Sequence, residues 1–262
     1  MKSKKETMQG VAVVTGAATG IGAAITERLA EQGMHLVLVA RDGARLEAAA
    51  ERLHAEYGAQ VSTLALDLSQ QSAPARLAKW LTGSGTEVDV LVNNAGASLM
   101  GPVANSDPAR LRGLVNLNVG AMAELTALLL PAMVARGRGA VVNIASTGAY
   151  APAPYVAAYA ASKAFVLSFT QAVWAETKAT GVRVVAVSPG PTDTAMNTRH
   201  MPGKREPGSV ADTVMSALRS RGPAVVDGGL NGFQTFVFGR LLPASLAARI
   251  AERSLRRTAL GH

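Results

Sequence analysis

Six short runs of branched apolar residues, each separated from the next by a helix-length segment, constrain this chain more than any other feature. They are "VAVVTG" (11–16), "HLVLVA" (35–40), "VSTLALD" (61–67), "VDVLVNN" (88–94), "GAVVNIAS" (139–146) and "VRVVAVSPG" (182–190). Runs that are apolar almost throughout, and not at alternate positions, belong to strands covered on both faces. Between them, segments 20–32, 43–57, 73–82, 107–136 and 157–179 carry Ala and Leu at helical spacing. Alternation of this kind along the whole chain predicts an α/β fold: one Rossmann-like, doubly wound parallel sheet of about seven strands, with helices on both faces. The seventh strand is expected at "AVVDGG" (224–229).

No linker or repeat divides the chain, so residues 1–262 read as a single domain. The most irregular stretch, "GPTDTAMNTRHMPGKREPGS" (190–209), is rich in Pro, Gly and polar residues, and 191–209 is expected to be a lid over the substrate. Residues 231–262 read as a C-terminal helical extension, with one or two amphipathic helices over 233–257.

At 48% hydrophobic residues the chain can bury a large core, which excludes a disordered protein. No run approaches eighteen uninterrupted apolar residues, which argues against a membrane-spanning helix. The basic start "MKSKKETMQG" is followed by an apolar run too short for a signal peptide, so the chain is expected to be soluble and cytoplasmic. It has no cysteine, which removes disulfides and a thiol nucleophile and fits a reducing compartment. Its four histidines show no metal-ligand spacing, and no metal is expected.

The net charge of +8 suggests nucleic acid until it is located. Residues 1–5 hold three lysines, and 199–257 hold ten basic and four acidic residues; the body between them is nearly neutral. With aromatics at 4%, a basic, stacking nucleic-acid surface is not expected.

The chemistry-bearing residues fall at the ends of the expected strands. "TGAATGIG" (15–22) joins the first strand to a helix, with glycines that let the backbone pass close to a diphosphate at the helix N-terminus. The spacing is G-x-x-x-G-x-G, and a tight turn without a ligand is the alternative. "NNAG" (93–96) ends the fourth strand, Asn118 interrupts an apolar helix, and Ser146 ends the fifth strand. Tyr159 and Lys163 follow Ser146, and "SPGPTDT" (188–194) ends the sixth strand. Tyr155, Tyr159 and Lys163 are spaced to line up along one helical face.

These motifs, in this order and spacing over residues 8–230, resemble the short-chain dehydrogenase/reductase family. The resemblance implies an oxidoreductase that interconverts a ketone or aldehyde and the corresponding alcohol, with catalytic residues Asn118, Ser146, Tyr159 and Lys163. Tyr159 would be the general acid and base, helped by the nearby Lys163 ammonium, which would lower its pKa. Ser146 would orient the substrate oxygen, Lys163 would also hold the nicotinamide ribose, and Asn118 would hold a water that relays protons. A nucleotide-binding regulatory protein that had lost the chemistry is the rival reading, weakened because all four residues are present.

The resemblance places the cofactor against Thr15, Gly16, Ala18, Thr19, Gly20, Ile21 and Gly22, against Asp67 and Leu68, and against Asn94, Ala95 and Gly96. It adds Tyr159, Lys163, Pro189, Gly190, Thr192 and Thr194. Where relatives that use NAD(H) carry an acid, this chain has Ala40, followed by Arg41, which suits a 2′-phosphate; NADP(H) is therefore favoured over NAD(H). Asp42 is the complication, since it could bring an acid near the ribose.

Substrate contacts are expected from Ser98, Ser146, Tyr155, Tyr159 and Met196, with Tyr155 lining the pocket. These residues suit an uncharged, hydrophobic carbonyl or alcohol. A homo-oligomer is expected. The tail resembles that of longer members acting on steroid-like and fatty-acyl ketones. It is expected to pack on its own subunit or on a second copy, with peripheral membrane contact as the lesser alternative.

Overall fold

The computed structural model describes residues 10–197 and 204–260. Seven parallel strands form one sheet: β1 (Val11–Thr15), β2 (His35–Ala40), β3 (Val61–Ala65), β4 (Val88–Asn93), β5 (Gly139–Ile144), β6 (Val182–Ser188) and β7 (Ala224–Val226). Their spatial order is β3-β2-β1-β4-β5-β6-β7. The direction of strand addition reverses between β1 and β4, which opens a crevice at the carboxyl edge where such sheets bind ligands.

The strands are apolar on both faces because both are covered. Ala12 and Val14 of β1 face one core with Leu36 and Leu38 of β2, while Val13, Val37 and Val39 face the other. The first core is closed by α1 (Gly20–Glu31), α2 (Gly43–Tyr57) and α7 (Pro207–Arg219), through Ile25, Leu29, Leu46, Leu53 and Val214. The second is closed by α3 (Ala73–Gly83), α5 (Met122–Arg136) and α6 (Ala157–Thr177), through Leu77, Leu81, Leu125, Met133 and Val173. Helix α2 shows how local sequence sets the bounds. Asp42 caps its N-terminus by accepting from the Arg45 backbone N–H, and Gly58, at φ 65°, ends it in the left-handed conformation.

The segment expected as one helix over 107–136 is α4 (Pro108–Val115), a π-helical turn over Asn116–Ala121, and α5. By length and composition alone, Pro108–Arg136 would also suffice to cross a membrane. Its buried side, with Leu114, Asn118, Ala121, Leu125 and Met133, packs inside the protein. The opposite side leaves Val115 and Leu128 exposed.

Part of the expected lid, 198–203, lies outside the described residues. The rest differs from a free loop. α7 already begins at Pro207, and Arg205 pairs with the fully buried Asp227 at 2.6 Å. Lys204 pairs with Asp193 at 3.0 Å. The extension forms α8 (Gly229–Phe236), a π-helical turn over Val237–Leu241, and α9 (Ala244–Leu260).

Candidate active site

The first element of the site is the turn from β1 into α1. A Cβ on Gly22 would overlap the Gly16 carbonyl oxygen, and one on Gly16 would come within 3.0 Å of the Ala95 Cα. Both glycines are therefore required by close packing of the turn against α1 and the end of β4. The N-terminus of α1 has no side-chain cap, since Thr19 is extended and makes no capping bond. Its free N–H groups and the bare glycine loop fit a diphosphate. Arg41 is exposed at the end of β2, close in sequence to this edge. Asp42 caps α2 and pairs with Arg45 at 3.2 Å.

Several residues expected at the cofactor instead build its cradle. The Thr15 hydroxyl is buried, donates to Val92 O and accepts from the N–H groups of Asn94 and Ala95 at 3.0 Å. The Asn94 amide donates to Thr15 O and Gly16 O, pinning the glycine turn to β4. Ile21 and Leu68 turn into the two cores, and Ala18 packs beside Ile21. Asp67 accepts from the Ser69 N–H and hydroxyl through Oδ1, as a strand-end cap. Thr192 is buried and donates to Gly190 O, while Thr194 stands against Gly20. Pro189 O accepts from Thr147 N, joining the loops that follow β5 and β6.

Asn118, Ser146, Tyr159 and Lys163 meet at the carboxyl edge between β4 and β5. Ser146 ends β5 in an extended conformation, and its Oγ accepts from Gly148 N at 3.1 Å. It lies against the Tyr159 phenol and stabilises the phenolate, but burial acts more strongly and pushes the phenol above its ordinary value. One turn along α6, Lys163 is buried; desolvation lowers its pKa to about 8, and Nζ donates to Ile144 O at 2.7 Å. Lys163 Nζ is turned to β5, and the phenol is raised and not lowered as the sequence led one to expect, with burial the larger cause. Gly96 completes the group, since a Cβ there would sit 3.3 Å from Asn118 Oδ1 and 3.5 Å from Lys163 Nζ.

The Asn118 amide is already engaged in a structural role. Its Oδ1 accepts from Ala97 N at 2.8 Å, and its Nδ2 donates to Ala97 O and to Ser162 Oγ. The π-helical turn swings this amide out of the helix to tie the segment after β4 to α6. Beneath the site runs a buried polar ladder that the sequence reading missed. Asn93 Nδ2 donates to Asn143 Oδ1 and to Thr126 Oγ1, and Asn143 Nδ2 donates to Thr170 Oγ1. It links β4 and β5 to α5 and α6, the helices that carry the site. The only sequence signal was an Asn near the carboxyl end of each of two largely apolar strands.

Tyr155 bridges the rim of the cleft and the C-terminal extension. It is the one non-glycine residue among those described with φ in the left-handed region, at 65°. Its phenol donates to Glu252 of α9 at 2.9 Å, and its carbonyl accepts from Gly101 N at 2.8 Å. It therefore joins the tail to the rim of the cleft. Gly239 packs against Tyr150 in the same region, so the tail forms one wall beside the 147–155 segment. Ser98 and Met196 stand exposed on the rim.

The comparisons agree with this architecture. The family model for short chain dehydrogenases matches residues 10–205. An uncharacterized oxidoreductase of Staphylococcus saprophyticus is 34% identical over 217 residues, covering 82% of this chain and 93% of the relative. The very-long-chain 3-oxoacyl-CoA reductase of Mus musculus is 34% identical over 216 residues, covering 80% of this chain and 68% of the relative. A solved short-chain dehydrogenase from Sphingobium yanoikuyae in complex with NADPH is 32% identical and superposes with a TM-score of 0.79, covering 90% of this chain and 97% of that one. Together with the sheet order, the glycine turn and the gathered Ser, Tyr and Lys, these matches show that the chain belongs to the short-chain dehydrogenase/reductase family of oxidoreductases.

Proposed function

We propose that the chain is an NADP(H)-dependent oxidoreductase that interconverts a ketone or aldehyde with the corresponding alcohol. Tyr159 acts as general acid in reduction and as general base in oxidation. The observation that carries this reading is the Tyr159–Ser146 pair at the carboxyl edge of the sheet, backed by the buried Lys163. When bound, the nicotinamide cofactor supplies or accepts the hydride. Ser146 and Tyr159 hydrogen-bond the substrate oxygen, and in reduction the phenol proton passes to that oxygen. A phenol with a raised pKa stays protonated at neutral pH, which is the form an acid needs. Lys163, its pKa lowered to about 8 by burial, serves the cofactor ribose.

The uncapped start of α1 and the glycine turn would hold the diphosphate, and Arg41 the 2′-phosphate. The NADPH carried by the Sphingobium relative supports that choice. Met100, Val103 and Met196, exposed on the segments after β4 and β6, favour an uncharged, hydrophobic substrate. Val115 and Leu128 on α4 and α5, with Phe165 on α6, form an exposed apolar side suited to a homo-oligomer. The reading is tested by following NADPH oxidation over ketones and aldehydes graded by size and polarity. Turnover that survives intact in Tyr159→Phe would remove it.

A further inference from the structure

Along α8 and α9 the usual sorting of side chains is inverted. On α8 the buried residue is Thr235, while Leu230, Phe233 and Phe236 are 71%, 66% and 56% exposed. Their spacing of three sets them along one side of the helix. Leu241 at the following π-helical turn is exposed as well. On α9 the fully buried residue is Ala247, and Leu246 and Ile250, one turn apart, are left outside. Single exposed apolar residues are ordinary, but six within two consecutive helices mark an interaction surface.

The charges around these side chains indicate the partner. Arg240, Arg249 and Arg253 are exposed, and none pairs with an acid among the described residues. Arg249 and Arg253 flank Ile250 on the outer side of α9. The sole acid of the extension, Glu252, is turned inward to the Tyr155 phenol and toward Arg256. A second copy meeting this face across a two-fold axis would bring arginines together with no exposed acid of the extension to receive them. Bulky apolar side chains ringed by long cationic ones match a bilayer interface, where rings and aliphatic chains enter the acyl boundary and guanidinium groups stay at the headgroups.

We propose that the α8–α9 face docks this protein onto an anionic lipid bilayer. The tail also walls the cleft, through Gly239 against Tyr150 and Glu252 against Tyr155. Docking therefore sets the cleft beside the membrane surface, where apolar carbonyl compounds concentrate. The proposal does not depend on the cofactor or on the identity of the catalytic acid.

The experiment is co-sedimentation of the full chain with vesicles of phosphatidylcholine alone and of an equimolar mixture with phosphatidylglycerol. The expected result is binding to the mixed vesicles, weak binding to phosphatidylcholine, and weakening at high salt. Phe233→Ser with Phe236→Ser should abolish binding. Arg249→Gln with Arg253→Gln should weaken it on mixed vesicles by roughly fivefold for each arginine. Thermal melting of each variant checks that the fold is kept, and the arginine variant supplies the answer if the phenylalanine variant does not fold. No binding, equal binding to both vesicle types, or binding undiminished in the arginine variant would overturn the proposal. Binding kept by a folded phenylalanine variant would assign it to the basic N-terminal residues and overturn it too. A wild-type dimer that ignores vesicles and that the phenylalanine variant dissolves would give the face to a second copy.

Discussion

Lys163 Nζ lies 5.9 Å from the Tyr159 ring centroid and donates to the Ile144 carbonyl at 2.7 Å, so the lysine is anchored to β5 and not to the phenol. Burial alone brings its pKa to about 8. The unfolded chain holds that proton up to about pH 10.5, so between these values the unfolded state binds more protons, and rising pH favours the folded state. Lys163→Met should therefore be more thermostable than wild type at pH 7, by up to about 3 kcal/mol. The gap should narrow as pH rises from 8 toward 10, as read by thermal melting. Tyr159, raised above its ordinary value, acts with the opposite sign above pH 10, so the scan stops there.

Tyr159→Phe should abolish turnover while leaving NADPH binding and the melting temperature nearly unchanged. Tyr155→Phe removes only the bond to Glu252, so kcat should stay near wild type while KM for bulky substrates shifts. Steady-state kinetics on both variants with one small and one bulky ketone provides the check. Equal kcat losses in the two would contradict the assignment.

Arg41→Ala should raise KM for NADPH by one to two decades, roughly the worth of a charge-assisted contact, with little change for NADH. Kinetics with each cofactor in turn measures the difference. An enzyme that prefers NADH from the start would count against the 2′-phosphate role.

Asn143→Leu should destabilise the fold by roughly 1–3 kcal/mol, because it strips an acceptor from Asn93 and a donor from Thr170 inside a dry layer. Urea unfolding reports the loss. Activity should fall with it, since the ladder ties the site helices to the sheet.

Arg205→Ala should cost more, roughly 3–5 kcal/mol, because it leaves the buried Asp227 with only the Thr213 hydroxyl. Adding Asp227→Asn should recover part of the loss, and a urea series on the three proteins would show it.

The sheet was legible in the sequence because buried parallel strands need apolar residues at every position, and that pattern survives in strings such as "HLVLVA". The long helix over 107–136 was legible in extent but not in its π-helical turn, since the segment is apolar at so many positions that a shift of its buried face does not stand out. Helix α7 was hidden behind the Gly and Pro of the preceding loop. The gathering of Asn118, Ser146, Tyr159 and Lys163 could be expected from strand ends and helix spacing. The partners they chose could not: Lys163 takes a backbone carbonyl and Asn118 takes Ala97, contacts set by tertiary packing. The Arg205–Asp227 pair left no mark in the sequence, because Asp227 comes from the end of β7, twenty-two positions further on.

The strand order has a consequence for how the chain is made. From β1 the sheet extends first to β2 and β3 on one side, and then through β4, β5, β6 and β7 on the other, in the order of synthesis. Every strand leaving a ribosome therefore meets an edge already in place, and none has to be inserted between two that have paired. Residues up to Ile144 complete five strands before the helix bearing Tyr159 and Lys163 has emerged. A nascent chain stalled at that length would expose β5 as an open edge until β6 arrives, the kind of edge that pairs wrongly with other chains.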